Sequence, residues 1–276
     1  MQRVTSTVRK MSTRSTTASG STVYESDRAA HEYLQFHFGD SKDVVPWAFA
    51  PSDALNFLPR CVEDTVGHLP KQNRRQRALE IGCAVGRSSF ELSRHFDEVV
   101  GIDFSHHFIE VANAMKLKGT AEYEALLQGD IKESRVAKVA ADIDRSKVTF
   151  AQGDACNLDV AELGAFDLVF ASNLLCRLPE PKQFLATLPS LVRSDGVLAL
   201  ISPYSWLEEY TPKEHWIGGT VNPVDGTPID SFAEIERLLA PHFTLVARTQ
   251  YPFLIREHDR KFQYGVSDGT FWRRNA

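Results

Sequence analysis

The sequence has few of the parts that build a disulfide scaffold or a zinc site. Its four cysteines, Cys61, Cys83, Cys156 and Cys176, stand far apart with no CxxC spacing. That excludes the usual metal frameworks and favours a reducing compartment, so no metal is expected. No run of about 18 apolar residues occurs, so no transmembrane helix and no membrane partner are expected. Positive charge is not in excess. Lys and Arg total 31 against 36 Asp and Glu, for a net charge of −5. With no basic, aromatic groove in evidence, a nucleic-acid partner is not expected. Acids are missing altogether before Glu25, where half of residues 1–22 are Ser or Thr. Such a segment cannot bury a core. Residues 1–22 are expected to be a disordered leader, with an organelle transit peptide as the alternative. The compartment is then the cytoplasm, or an organelle in the second case. Met11 is a candidate second start.

The chain as a whole is ordinary in bulk, 43% hydrophobic and 24% charged, and residues 23–276 fit a single globular unit. From Ala78 onward strand-like and helix-like stretches alternate. "RALEIG", "EVVGIDF", "KVTFAQGD", "FDLVFAS" and "GVLALIS" read as buried strands. "SSFELSRHF", "HHFIEVANAMKL" and "PKQFLATLPSLVR" read as helices, the last with Phe184, Leu185, Leu188 and Leu191 inward. Strands separated by helices predict an α/β fold with a parallel sheet covered on both faces. The tail stretches "FTLVARTQYPFLI" and "KFQYGVSDGTFWRR" predict an antiparallel hairpin on one edge, turning at "REHDRK". Residues 76–276 are thus the core. Residues 23–75 predict a helical cap, with Ser26 or Asp27 opening one helix and a kink near Pro59 in another.

The most specific chemical signal is "ALEIGCAVGRSSFEL". A strand ends at Glu80, turns through Gly82 and Gly86, and enters a helix. Glycines there permit a tight turn and close approach of a ligand to backbone. No GK[ST] follows, which excludes a P-loop. Asp103 ends the next strand, and a carboxylate there can accept both hydroxyls of a ribose. Asp154 follows the third strand. Three successive strands ending this way resemble the class I S-adenosylmethionine-dependent methyltransferases. That resemblance covers about residues 75–202 and implies a Rossmann-like, mostly parallel seven-stranded sheet with S-adenosylmethionine as cofactor. It implies that Gly82, Cys83 and Gly86 line the loop beside the cofactor's amino-acid part, with Glu80 orienting it. Asp103 and Phe104 take the ribose side, Asp154 and Ala155 the adenine. Ala84 stands where many relatives have glycine.

Ligands of open parallel sheets sit beyond the carboxyl ends of the strands. Asn173, after the fourth strand, is therefore a candidate for contact with cofactor and acceptor. Here "YESDRAAHEYLQFHFG", "VPWAFAPSDALNF", "SNLLCRLPEP" and "SPYSWLEEYTP" resemble the methyltransferase family of ovothiol biosynthesis, over most of residues 24–276. The family implies N-methylation of an imidazole nitrogen of 4-mercaptohistidine. In many relatives the unit follows an iron-dependent sulfoxide synthase, which makes such a synthase the expected pathway partner. Either this chain acts without that part or its substrate has drifted.

Residue chemistry then assigns candidates. Asn173, Tyr204 and His37 are the expected catalytic set. Tyr204 and Trp206 are expected to wall the ring by stacking. Glu208 or Glu209 is expected to bind the substrate ammonium, and Arg60 its carboxylate. Tyr33 and His37 are expected to close over the methyl group. His106 and His107 are expected near the adenosine, and His215 and Trp216 as anchors of their loop. The alternatives are methylation of another small amine, thiol or hydroxyl compound, and a non-catalytic cofactor-binding partner of a sulfoxide synthase. Oligomeric state is left open.

Overall fold

The computed structural model describes residues 22–71 and 75–276. The expected leader, apart from Thr22, lies outside the described residues. A short 3-10 turn at Val23–Glu25 precedes helix α1 (Asp27–Phe38). Ser26 is the cap, its Oγ accepting the Ala29 N–H at 3.2 Å. Helices α2 (Ser41–Val44) and α3 (Phe57–Gly67) complete the cap. Pro59 does not kink α3. It lies in the first turn, where the missing N–H has no intrahelical acceptor to lose.

The core then runs β1 (Arg77–Ile81), α4 (Arg87–Leu92), β2 (Glu98–Asp103), α5 (His106–Lys118), β3 (Thr120–Gln128), β4 (Ile131–Lys138) and β5 (Val148–Gln152). It continues through α6 (Val160–Leu163), β6 (Phe166–Ser172), α7 (Pro181–Leu191), β7 (Val192–Ser202), β8 (Thr220–Val221) and β9 (Pro228–Ile229). It closes with α8 (Ser231–Leu239), β10 (Phe243–His258) and β11 (Lys261–Arg274). Seven strands form one sheet in the order β10-β11-β7-β6-β1-β2-β5. β1, β2, β5, β6 and β7 pair in parallel. β11 runs antiparallel to both β7 and β10. The expected terminal hairpin is therefore present with β11 inserted between β7 and β10. Strand order reverses at β1, which puts a crevice at the carboxyl ends of β1 and β6.

Alternate residues of the central strands enter opposite cores. Ala78, Leu168, Phe170, Val197 and Ala199 face one apolar cluster with α3, α4 and α5. Leu79, Ile81, Val169, Ala171, Leu198 and Leu200 face the other, beneath α7 and α8. Burial on both faces explains why these strands read as continuous apolar runs. Phe184, Leu185, Leu188 and Leu191 of α7 are all buried.

Two features depart from the sequence reading. The β3–β4 hairpin was not foreseen; of its residues only Tyr123, Ala125 and Ala137 are buried, so its pattern is dominated by exposed charge. The β10–β11 ribbon also outgrows the sheet. β11 pairs with β7 only over Asp268–Arg273, and the rest of the ribbon projects past the carboxyl ends as a two-stranded arm. Among the described residues no helix is long and apolar enough to cross a membrane. Phe184 is fully buried between α7 and the sheet. Phe184→Ala is expected to cost about 3–5 kcal/mol in denaturant unfolding, with an unchanged slope.

Candidate active site

After Ile81 the chain must reverse sharply to enter α4. Gly82 and Gly86 take φ of +81° and +92°. A Cβ on Gly86 would lie 2.5 Å from the Phe150 ring, so that position also has no room for a side chain. Ala84 adopts φ +45° despite its side chain. Its N–H donates to Asp103 Oδ2 at 2.8 Å, a charge-assisted bond that offsets the strain. The N–H groups of Gly82 and Cys83 donate to the Ile102 carbonyl at 2.7 and 3.1 Å. The turn is thus sewn to the end of β2.

Glu80 is 2% exposed and accepts a hydrogen bond from Ser89 Oγ. Burial pushes its carboxyl up to about 8, against the opposing effect of Ser89. Burial also raises Asp103 to about 6, although the N–H groups of Ser105 (2.9 Å) and Ala84 pull the other way. His37 falls to about 3, through burial and the Arg87 charge. Its Nδ1 accepts the Arg87 N–H at 3.4 Å, and its carbonyl accepts from the Arg87 guanidinium at 3.0 Å. His37 is therefore a neutral imidazole and a poor proton acceptor.

These groups surround one cavity of about 520 Å³. One end is walled by Glu80, Gly82, Asp103, Phe104, Asp154, Ala155 and Asn173. The rest is closed by Tyr24, by Tyr33, Phe36 and His37 of α1, by Phe57, by Arg177, by Pro203, Ser205 and Tyr210, and by Phe253, Ile255 and Gln263–Val266 of the arm. Asn173 holds φ +54°. Its Oδ1 accepts from Ser267 Oγ at 2.7 Å, which leaves its amide N–H groups as donors. Among the expected residues, Tyr33 and His37 therefore share the cavity with the cofactor set.

Others do not. Cys83 and Gly86 lie off the cavity wall: Cys83 is fully buried beneath the turn, and Gly86 packs on Phe150. Tyr204 turns toward β11, its hydroxyl donating to Asp268 Oδ2 at 2.8 Å, where Arg248 also binds. Trp206 is 7% exposed within the core beneath α7 and α8 and donates to Ser231 Oγ at 3.0 Å. Its aromatic surface is used in packing, not as a ring wall. Glu208 and Glu209 are exposed, outside the cavity. Arg60 is committed to the carbonyls of Leu55 (3.2 Å) and Pro252 (2.7 Å). His106 and His107 give their N–H groups to Glu25 and do not line the cavity. Trp216 Nε1 donates to the Thr211 carbonyl, and His215 Nδ1 lies 2.9 Å from the Pro179 carbonyl, tying their loop.

Sequence reasoning missed Tyr24, Arg177, Tyr210 and the arm. Arg177 had a signal, since it sits four residues after Asn173 in a short turn. The arm had none, because its role depends on a register with β7.

The cavity's chemistry fits S-adenosylmethionine. Asp103 ends β2 and Asp154 follows the neighbouring β5, and both line the cavity with the residues after them, Phe104 and Ala155, which suits a ribose and an adenine. Buried Glu80 beside the turn suits an ammonium. Residues 79–198 match the family model described as "Methyltransferase domain". No curated protein matches the chain. Among solved structures, the chain is similar to the N-methyltransferase NodS of Bradyrhizobium japonicum WM9, solved with S-adenosyl-L-homocysteine. Identity is 12%, coverage 90% of this chain and 99% of that one, and the TM-score 0.50. A Bacillus halodurans C-125 protein described as a possible methyltransferase is 12% identical, with 79% and 99% coverage and a TM-score of 0.50.

The raised carboxyls have a consequence with a definite sign. Each keeps in the fold a proton that the unfolded chain has lost, so the ligand-free protein loses stability as pH rises between about 4 and 8. An ammonium seated against Glu80 favours its ionised form. Titration with S-adenosylhomocysteine at pH 7 in buffers of different ionisation enthalpy is expected to reveal proton release, and Glu80→Gln to abolish it. Residues 79–198 match a methyltransferase domain model, and the chain is an enzyme with a Rossmann-like fold like that of the methyltransferase structures it resembles.

Proposed function

We propose that the enzyme uses S-adenosylmethionine to methylate an imidazole ring nitrogen of 4-mercaptohistidine, the reaction of ovothiol biosynthesis. One observation carries the reading. The stretches that resemble that family outside the cofactor core supply the other walls of the cavity. "YESDRAAHEYLQFHFG" contributes Tyr24, Tyr33 and His37; "SNLLCRLPEP" contributes Asn173 and Arg177; "SPYSWLEEYTP" contributes Ser205 and Tyr210. NodS, similar in fold, is an N-methyltransferase by name.

The bound cofactor supplies an electrophilic methyl on a sulfonium, and the chain's residues orient the acceptor toward it. Glu80, Gly82, Asp103, Phe104, Asp154 and Ala155 hold the cofactor. Aromatic rings close the remaining space and exclude water, Tyr33 packing on Phe108 at 4.9 Å and Phe36 on Phe57 at 6.0 Å. Of the ionisable side chains that α1 puts on the wall, Glu32 is paired with Arg28, and neither His37 nor Tyr33 suits a base. His37 is a weak acceptor, and burial raises the Tyr33 phenol, so it stays a donor. That matches an acceptor that needs little help. A mercaptoimidazole loses a proton near neutral pH, and a fixed ring tautomer then presents nitrogen. The substrate sulfur is the softer nucleophile, so the pocket must turn it away.

Purified enzyme with methyl-labelled cofactor and 4-mercaptohistidine is expected to yield ring-N-methylated product by NMR and mass spectrometry. Label on sulfur, or no label while S-adenosylhomocysteine still binds, would sink the substrate assignment.

A further inference from the structure

Arg177 is the only Lys or Arg on the cavity wall among the described residues. It sits on a 3-10 turn (Leu175–Arg177) beyond the carboxyl end of β6. Its Nη1 donates to the carbonyls of Cys176 (3.1 Å) and Ser205 (2.8 Å), which fixes the side chain. The guanidinium lies 4.7 Å over the Tyr210 ring. Tyr210 stacks with Tyr24 at 6.3 Å, and Tyr24 meets Tyr33 edge-on at 6.0 Å. Arg177 forms no ion pair among the described residues. Glu32, the acid on the same wall from α1, is already paired with Arg28 at 2.9 Å.

A half-buried guanidinium without a counter-ion, fixed by carbonyls and flanked by phenol hydroxyls, is a receptor for an anion. Its neighbours Tyr24, Ser205 and Tyr210 come from segments outside the strand-end set that fits the nucleoside. We propose that Arg177, with the hydroxyls of Tyr24 and Tyr210, forms a carboxylate subsite for the amino-acid end of the acceptor. The inference rests on the acceptor reading above in taking that anion to be an amino acid's. It moves carboxylate recognition from Arg60, which lies off the cavity wall and bonds the Leu55 and Pro252 carbonyls, to Arg177.

The subsite predicts that the enzyme distinguishes 4-mercaptohistidine from its decarboxylated amine. Wild type should favour the amino acid in kcat/KM by about 10- to 100-fold, as expected for a charge-assisted contact. Arg177→Gln should erase that preference mainly through KM, and Arg177→Lys should restore part of it. S-adenosylhomocysteine affinity should stay within about twofold, which also reports that the variant is folded. An Arg177→Gln enzyme that keeps the preference overturns the subsite and leaves the substrate assignment standing. If the variant instead loses cofactor affinity by the same factor, Arg177 serves the cofactor's own carboxylate and the proposal fails. A wild type that methylates neither compound sinks the substrate assignment. The subsite then stands only if L-histidine binds the S-adenosylhomocysteine complex more tightly than histamine does and Arg177→Gln abolishes the difference; equal binding overturns it.

Discussion

The Asp103 carboxylate is the contact on which the site depends. It accepts the Ala84 N–H from the turn after β1 and the Ser105 N–H at the entry to α5. Ser105 Oγ in turn donates to the Tyr24 carbonyl at 2.9 Å and accepts the Phe108 N–H at 3.0 Å. One half-buried acid therefore joins the cofactor turn, the end of β2 and the segment that closes the cavity. Its burial raises the cost of its charge, which is why two backbone donors are spent on it. The same carboxylate faces the cavity, so structural and binding roles share one group.

Around that anchor the chain builds a closed space from parts distant in sequence. The segment before α1 is held to α5 because Glu25 accepts the N–H groups of His106 and His107. The arm is held to α3 because the Tyr251 hydroxyl donates to Asp64 at 2.7 Å. Gly265 lies opposite Phe253 in the ribbon, and a Cβ there would sit 2.5 Å from the Phe253 ring. The missing side chain lets that ring lie across the neighbouring strand, where it walls the cavity and meets Phe57 at 5.4 Å.

The cofactor end was legible because its chemistry is local. A turn that needs positive φ selects glycine, and acids at or just after strand ends stand out against apolar strands, so Gly82, Asp103 and Asp154, all on the cavity wall, stand out in a single sequence. The parallel sheet was legible for a similar reason, since burial on both faces leaves unbroken apolar runs. The acceptor end was not. Tyr204 and Trp206 carry the same aromatic signal whether they face a ligand or the core, and here they face Asp268 and Ser231. Arg60 and Arg177 are equally basic on paper. Both guanidiniums bond two backbone carbonyls; what separates them is that Arg177 reaches the cavity wall while Arg60 is turned to Leu55 and to Pro252, a contact across 192 residues. The β3–β4 hairpin escaped notice because most of its side chains face water and its alternation is faint.

Charge along the cavity is uneven, and that constrains how an acceptor can lie. Glu80, Asp103 and Asp154 cluster where the nucleoside fits, and Arg177 stands alone among phenols. In the proposed reaction, with no effective base from His37 or Tyr33, selectivity between ring nitrogen and sulfur has to come from placement. A carboxylate at the proposed Arg177 subsite would fix one end of a small acceptor. The arm fixes the other boundary through Phe253 and Ile255, which point the same way because they are two residues apart on one strand. A one-residue slip between β10 and β11 would exchange those side chains for the outward-facing set. The antiparallel pairing of β11 with β7 over Asp268–Arg273 is what prevents that slip. In the proposed reading acceptor selectivity therefore depends partly on strand register away from the transferred methyl, a dependence that residue identity at the cavity wall does not reveal.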